Sequence, residues 1–230
     1  MAAYQEALAN ASDKSDILTQ MSQITLAEKN YEKSAEYANL LIRERPDAYH
    51  GYLLLAYALF YQRLDREAYD AINKSLDLCK TDLSVYILKI RILIRNGAYE
   101  DAENELKFLL ESGLENDPAV LYCQGLLLEG SKKKMDEALK KYEKSVEEMG
   151  ERVKDYNFSD DLYYRMLCIR GDSLNGNKEE DRNIMMELAD KGLECNSSNR
   201  ALMDYKAWLL VKAEKYDEAL KMYKELAENP

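Results

Sequence analysis

Few residues in this sequence could carry out catalytic chemistry. The chain has one histidine, His50, and no nucleophile or carboxylate is placed next to it by the sequence. A Ser-His-Asp triad or a multi-histidine metal site would have to use this single residue. Acidic and basic residues recur four positions apart, as in Glu137 and Lys141, which is typical of ion pairs on a helix surface. No glycine-rich phosphate-binding motif is present. We therefore expect no enzymatic activity, no metal and no cofactor.

Charge and cysteine usage limit the partners and the compartment. The 230 residues include 32 Lys and Arg against 43 Asp and Glu, a net charge of −11 that disfavours binding to nucleic acid. Cys79, Cys123, Cys168 and Cys195 form no CxxC pair, which favours reduced thiols. No signal peptide is visible, and the longest apolar run, Tyr52–Tyr61, has ten residues where a membrane span needs about twenty. The sequence predicts a cytoplasmic protein with no membrane or nucleic-acid partner.

The chain is built from an internal repeat. Small residues mark its period: Ser34, Ala68 and Ala102 lie thirty-four residues apart, Ala138 follows after thirty-six, and Ala219 lies thirty-four after Met185. A short polar turn precedes each copy, as at Asn96-Gly97, and an apolar stretch with helical spacing precedes each turn. The repeated unit is therefore predicted to be helix, turn, helix. Such a pair cannot bury its apolar face alone, so neighbouring units must stack.

The period and the small residues resemble the tetratricopeptide repeat. Tyr52 and Ala56 match the large and small positions of its first helix. Tyr31, Tyr99 and Tyr216 match the aromatic position of its second helix, and Pro46 matches its terminal proline. The resemblance implies an all-α fold, a right-handed superhelical solenoid of antiparallel helix pairs without β-sheet.

This register divides residues 1–230 into one single solenoid with a partial unit at 1–14. The full units cover about 15–48, 49–82, 83–117, 118–158, 159–198 and 199–230. Met1–Ser12 is interpreted as the second helix of a unit whose first helix is absent, so we expect a fragment of a longer protein; the alternative is a natural short N-terminal helix. Uncapped solenoid ends expose apolar faces, which predicts end-to-end self-association through Tyr4, Leu8 or residues near Met222 and Leu226.

The resemblance also implies a binding groove. In this family the first helices line a concave surface where extended peptides bind. The corresponding positions are His50, Leu53, Tyr57, Phe60 and Tyr61, then Ile87, Arg91, Ile94 and Arg95, and then Tyr122, Leu126, Arg170 and Trp208. Tyrosine, tryptophan and arginine often dominate binding energy, and the arginines could hold a carboxylate of the ligand.

The carboxylate clamp of the chaperone-binding members does not fit this sequence. That clamp needs lysine and asparagine on one first helix, asparagine on the next, and lysine and arginine on the third. The corresponding residues here are Thr19 and Gln23, Leu54, and Ile87 and Arg91, of which only the arginine matches. A partner held by its C-terminal carboxylate in that manner is therefore not expected.

Three functions remain open at this point. The first is a protein–protein interaction scaffold that binds a peptide or helix of a partner in the groove. The second is a spacer or dimerisation segment for a catalytic or DNA-binding domain absent from this chain. A hydrolase built on the helical scaffold is a third, which a substrate screen of the isolated chain would address.

Overall fold

The computed structural model describes residues 14–132 and 134–228, without the side chain of Lys132. The helix expected within Met1–Ser12, including Tyr4 and Leu8, lies outside these residues. Over the described residues the backbone forms twelve α-helices and no strand, which confirms the all-α prediction. The chain divides into two compact units, Met1–Gly113 and Leu114–Pro230. One continuous solenoid over the whole chain stays a prediction.

The first unit contains six helices joined by short turns. They are α1 (Ser15–Ala27), α2 (Tyr31–Glu44), α3 (Tyr49–Tyr61), α4 (Asp65–Leu78), α5 (Leu83–Arg95) and α6 (Tyr99–Glu111). Within this unit, each of the first five helices packs against the helix that follows it. One core cluster joins α1, α2 and α3 around Met21 and Leu41, and another joins α3, α4 and α5 around Ile72 and Leu88.

The second unit contains the other six helices. They are α7 (Pro118–Leu127), α8 (Met135–Met149), α9 (Ser159–Ser173), α10 (Glu179–Cys195), α11 (Arg200–Lys212) and α12 (Tyr216–Glu228). A π-helical turn, Leu128–Lys132, continues α7, and a 3-10 helix, Gly150–Asp155, follows α8. The π-helical turn lies in the segment where the sequence repeat is two residues longer than its usual period.

Four of the helix-to-helix turns use the same left-handed backbone position. Lys29, Arg63 and Glu214 have φ values of 61°, 64° and 61°, and Gly97 has a φ of 74°. Glycine tolerates this conformation without steric cost, whereas a residue with a Cβ is strained there. The repeat therefore conserves a backbone shape even where the residue type differs.

The repeated small residues lie where the two helices of a pair approach. Ser34, Ala68, Ala102 and Ala138 have no exposed surface, and Ala219 is 2% exposed. Met185 occupies the same repeat position and is also buried. The space beside Gly171 on α9 is filled by Tyr205 of α11, since a Cβ built on Gly171 would overlap the Tyr205 hydroxyl. That hydroxyl donates a hydrogen bond to Met185 Sδ at 3.7 Å, so Gly171 makes room for the tyrosine that contacts Met185.

Gly125 on α7 shows the same steric requirement in its strongest form. A Cβ built there would overlap the ring of Tyr142 on α8, with Cδ1 at 2.6 Å and Cζ at 2.8 Å. Tyr142 is fully buried, so its ring occupies the space that any larger residue at position 125 would need. The close approach of α7 and α8 therefore depends on glycine.

Candidate functional site

The groove positions expected on α3 divide into buried and accessible residues. Leu53 and Phe60 are each 7% exposed and belong to the core cluster of α3, α4 and α5. Tyr57 and Tyr61 are half-buried and pack against that cluster. His50 is exposed, with its ring centroid 3.9 Å from that of Tyr49. On α3, the tyrosines and His50 are the groove positions that a ligand could reach.

The groove positions expected on α5 divide in the same way. Ile87 is 5% exposed and Arg91 is 8% exposed, so both lie within the helix packing. Ile94 and Arg95, at the C-terminal end of the helix, are half-buried. A side chain with so little exposed surface offers little area to a ligand, so the accessible groove positions of α5 are those of its last turn.

Phe60 connects α3 to both arginines of α5. The guanidinium carbon of Arg95 lies 3.6 Å from the centroid of the Phe60 ring, and that of Arg91 lies 5.0 Å away. Both distances are within the range in which an aromatic ring attracts a cation. The ring therefore holds two positive charges next to Tyr57 and Tyr61. We call these five residues the basic–aromatic face.

Asp65, the first residue of α4, neutralises part of this charge. Its carboxylate forms an ion pair with the Nη2 group of Arg95. Burial lowers the pKa of Arg95 below its ordinary value, while the hydrogen bond and charge of Asp65 act in the opposite direction. Arg95 Nε is buried and has no hydrogen-bond partner. Arg95 is thus a cation with one carboxylate partner and a buried Nε group that makes no hydrogen bond.

Tyr31, the first residue of α2, extends the aromatic surface. Its ring stacks on that of Tyr61, with centroids 5.1 Å apart and planes inclined by 16°. Stacked aromatic pairs of this kind contribute about 0.5–1.5 kcal/mol beyond the burial of their surface. The stack fixes the Tyr61 ring in place, so the basic–aromatic face has a defined shape before any ligand arrives.

The second unit holds the remaining predicted positions, and they do not form a comparable surface. Tyr122 is 1% exposed and Leu126 is 6% exposed, so both are core residues. Arg170 forms an ion pair with Glu143. Trp208 is accessible, packed edge-on against Tyr205 with ring centroids 5.5 Å apart.

The second unit also contains a polar network that the sequence does not predict. Tyr142 donates a hydrogen bond to Glu129 Oε2 at 2.7 Å, and Arg165 donates to Glu129 Oε1 at 2.9 Å and to Asp161 Oδ2 at 2.6 Å. Tyr122 donates to the same Asp161 carboxylate. Burial raises the pKa of Tyr142, so its hydroxyl stays protonated and donating. The network fastens α7, α8 and α9 together and exposes little of Tyr122 or Tyr142.

Glu129 enters this network from the π-helical turn. Single π-helical turns within α-helices occur frequently at functional sites. The extra residues near Ser131 were the only sequence signal of an irregularity here, and they did not indicate which side chains would meet.

The described residues also bear on metal binding, disulfide formation and membrane insertion. Among the described residues, no cluster of histidine, cysteine and acidic side chains could hold a metal ion. Cys79, Cys123, Cys168 and Cys195 form no disulfide bond. No helix in the described part of the chain has the length and apolar character required to cross a membrane.

Comparisons with known proteins agree with this architecture. A sequence family model described as tetratricopeptide repeat matches residues 87–151. No curated protein matches the sequence. Among solved structures, the chain is similar to a chain of the APC/C hetero-tetramer Cut9–Hcn1, with a TM-score of 0.71 and 12% sequence identity. The alignment covers 100% of this chain and 43% of the chain from the hetero-tetramer.

Two further structures show the same fold. Yeast Tom70 aligns with a TM-score of 0.66 and 14% identity, over 100% of this chain and 54% of that one. PilF of Pseudomonas aeruginosa aligns with a TM-score of 0.58 and 17% identity, over 93% of this chain and 90% of that one. The chain therefore spans about half or less of the length of the Cut9–Hcn1 chain and of Tom70.

The resemblance to tetratricopeptide-repeat proteins is thereby confirmed. The chain contains tetratricopeptide repeats at residues 87–151 and shares the fold of tetratricopeptide-repeat proteins. Proteins of this class are in general non-catalytic scaffolds for other proteins.

Proposed function

We propose that this protein is an interaction scaffold that binds a peptide segment of a partner on the basic–aromatic face. The observation that carries the proposal is the stacking of the Arg95 guanidinium on Phe60 beside the half-buried Tyr57 and Tyr61. A cation next to aromatic rings suits a segment that has an apolar side chain followed by a carboxylate. A cytoplasmic location is part of this proposal, in line with the reduced thiols expected from the sequence.

The contacts suggest how such a segment would be held. An apolar side chain of the ligand would pack against Tyr57 and Tyr61, whose positions are set by the α3 core and the Tyr31 stack. An acidic side chain would compete with Asp65 for Arg95, whose side chain is 18% exposed. Leu53, Ile87 and Arg91 lie underneath and would support this surface rather than contact the ligand.

Selection from a displayed library of random peptides tests the proposal. We expect the selected peptides to combine aromatic or aliphatic residues with a nearby acidic residue. Tyr57→Ala and Tyr61→Ala should each weaken their binding by about 2 kcal/mol, the loss typical of an aromatic anchor. Lys107→Ala on α6 changes an exposed charge outside this face and should leave affinity unchanged.

Arg95 and Asp65 provide a test in which two changes act in opposite directions. Arg95→Met keeps most of the aliphatic stem but removes the charge, and it should weaken the acidic peptides about tenfold, equivalent to about 1.4 kcal/mol. Asp65→Asn removes the competing carboxylate and should tighten them. If Asp65→Asn weakened binding as much as Arg95→Met, the ion pair would be a structural element and the face would not be the binding site.

A second candidate function, self-association, is supported by the surface of α12. The residue four positions after the repeated small residue is fully buried at Ala38, Ile72, Tyr142 and Ala189. The corresponding residue of α12, Tyr223, is 38% exposed, and Leu220 on the same helix is 53% exposed. An apolar position that the other pairs bury is thus accessible here, and a second copy of the chain could cover it.

Sedimentation velocity over a range of concentrations tests this second candidate. If α12 mediates association, the wild-type chain should form dimers or larger species, and Tyr223→Glu should convert them to monomers. Phe108→Glu changes another exposed aromatic residue, in the first unit, and should leave the association intact. A wild-type chain that is monomeric at high concentration would remove this candidate without affecting the peptide-binding proposal.

A further inference from the structure

A second groove lies between α3 and α4 of the first unit, with a volume of about 710 Å³. Its floor consists of three half-buried apolar residues of α3, Tyr52, Leu55 and Leu59. Its rim consists of exposed residues of α4, chiefly Glu67, Asp70 and Asp77. We call it the α3–α4 cleft.

The cleft is separate from the basic–aromatic face, although both use α3. Successive residues of an α-helix are rotated by about 100°. Tyr52, Leu55 and Leu59 therefore form one stripe, and Tyr57, Phe60 and Tyr61 lie on roughly the opposite side of the helix. A ligand in the cleft would contact neither arginine of α5, so the two surfaces could act independently.

The floor of the cleft has the character of a docking surface. Leu55 and Leu59 pack with one side against the buried cluster of α3, α4 and α5, yet both keep part of their surface accessible. Tyr52 continues the same stripe one turn earlier. Three adjacent apolar side chains at the bottom of an open groove favour a partner that supplies apolar side chains of its own.

The rim of the cleft is negatively charged. Glu67, Asp70 and Asp77 lie with Lys74 along one side of α4, which leaves two net negative charges over the groove. Asp70 and Lys74 are four residues apart, but they form no ion pair with each other. Within the described residues, none of the three carboxylates takes part in an ion pair. Their charge is therefore available to a ligand.

From this arrangement we propose that the α3–α4 cleft binds a basic amphipathic segment of a protein partner. Leucine-like side chains of the segment pack on Tyr52, Leu55 and Leu59, and its lysine or arginine side chains pair with the carboxylates of the rim. The acidic rim argues against a second copy of this chain as the occupant of the cleft, because a copy with a net charge of −11 would bring further negative charge next to the carboxylates of the rim. This proposal does not depend on the function proposed for the basic–aromatic face.

The test uses a short fluorescein-labelled peptide of lysine and leucine at helical spacing and fluorescence anisotropy. The variant with Glu67→Gln, Asp70→Asn and Asp77→Asn removes three negative charges from the rim. A control with Asp136→Asn, Glu147→Gln and Glu148→Gln removes three exposed charges from α8, so both variants have the same net charge.

At low salt the rim variant should bind the peptide about tenfold more weakly than the wild type, whereas the α8 control should differ by less than about twofold. Because the rim is exposed, the difference should decrease as salt is added. Tyr52→Ala should also weaken binding, and the same peptide with glutamate in place of lysine should not bind.

Three results would overturn the proposal. One is the absence of binding by the wild type at millimolar peptide. Another is an equal loss in both charge variants, since the peptide would then bind the acidic protein non-specifically. The third is a loss of binding on Tyr57→Ala with no effect of Tyr52→Ala, which would place the peptide on the other side of α3.

Discussion

Replacing Gly125 by alanine tests the packing on which the helix pairs depend. The new Cβ would overlap the ring of Tyr142, with two of the ring carbons at 2.6 and 2.8 Å, whereas carbon atoms in contact are normally about 3.5–4.0 Å apart. The ring cannot easily move aside, because Tyr142 is fully buried and its hydroxyl is bonded to Glu129 at 2.7 Å. The added methyl group must therefore be accommodated by strain in α7, α8 or both.

The net effect follows from two opposing contributions. Overpacking a core typically costs about 1–3 kcal/mol, and the closeness of the overlap favours the upper value. Alanine stabilises a helix interior relative to glycine by about 0.8–1.0 kcal/mol. We therefore expect Gly125→Ala to lower the free energy of unfolding by about 2 kcal/mol, or about 1 M in urea midpoint for an m value near 2 kcal/mol/M.

A second substitution separates the overlap from the helix propensity. Tyr142→Val removes the ring atoms that meet the new Cβ, so in that background Gly125→Ala should stabilise by about 1 kcal/mol through propensity alone. The interaction between the two positions would then be about 3 kcal/mol in a double-mutant cycle followed by far-ultraviolet circular dichroism. If Gly125→Ala were neutral or stabilising in the wild-type background, the proposed contact between α7 and α8 would be wrong.

Three further predictions concern the remaining repeat features. Ala102→Phe should destabilise by about 1–3 kcal/mol, because Ala102 is fully buried between helices; an unchanged urea midpoint would contradict the register. Gly97→Ala should destabilise the protein by about 1 kcal/mol, because residue 97 has a left-handed backbone conformation. Arg63→Gly at the corresponding turn should stabilise the protein by about 0.5 kcal/mol for the same reason. Urea titrations in which both substitutions changed the stability in the same direction would refute this prediction. The hydrogen bond to Asp82 raises the pKa of Tyr49 to about 12 from 10, so this bond stabilises the fold below pH 10 and is lost as the pH rises to 12. Between pH 10 and 12, the free energy of unfolding of Tyr49→Phe should therefore fall less than that of the wild type. If the free energies of unfolding of the two proteins fell equally over this interval, the bond would not stabilise the fold.

The repeat could be predicted from the sequence because its determinants are local or steric. Ser34, Ala68 and Ala102 must be small wherever two helices approach closely, and all three are fully buried. Met185 breaks the pattern, and its sulfur accepts a hydrogen bond from Tyr205 of α11, whose hydroxyl occupies the space beside Gly171 of α9. Such an arrangement depends on which side chains face each other, so it is visible only in three dimensions.

The candidate site could be predicted only in part. The repeat register predicts which positions of α3 and α5 share a side, and in the structure the guanidinium groups of Arg91 and Arg95 lie over the Phe60 ring. The register does not predict how deeply each side chain is buried. Phe60 and Arg91 are buried by the packing of neighbouring helices, and Tyr122 is drawn into a polar network with Asp161.

Photo-crosslinking tests the central claim, that a partner peptide binds the basic–aromatic face, most directly. The photoreactive residue p-benzoylphenylalanine would replace Tyr61 in one variant and Phe108, an exposed aromatic residue of α6, in a matched control. Each variant would be irradiated with a peptide obtained by the display selection. We predict a covalent adduct with the first variant, and its loss when an excess of unlabelled peptide competes. An adduct at position 108 but not at position 61 would contradict the proposal.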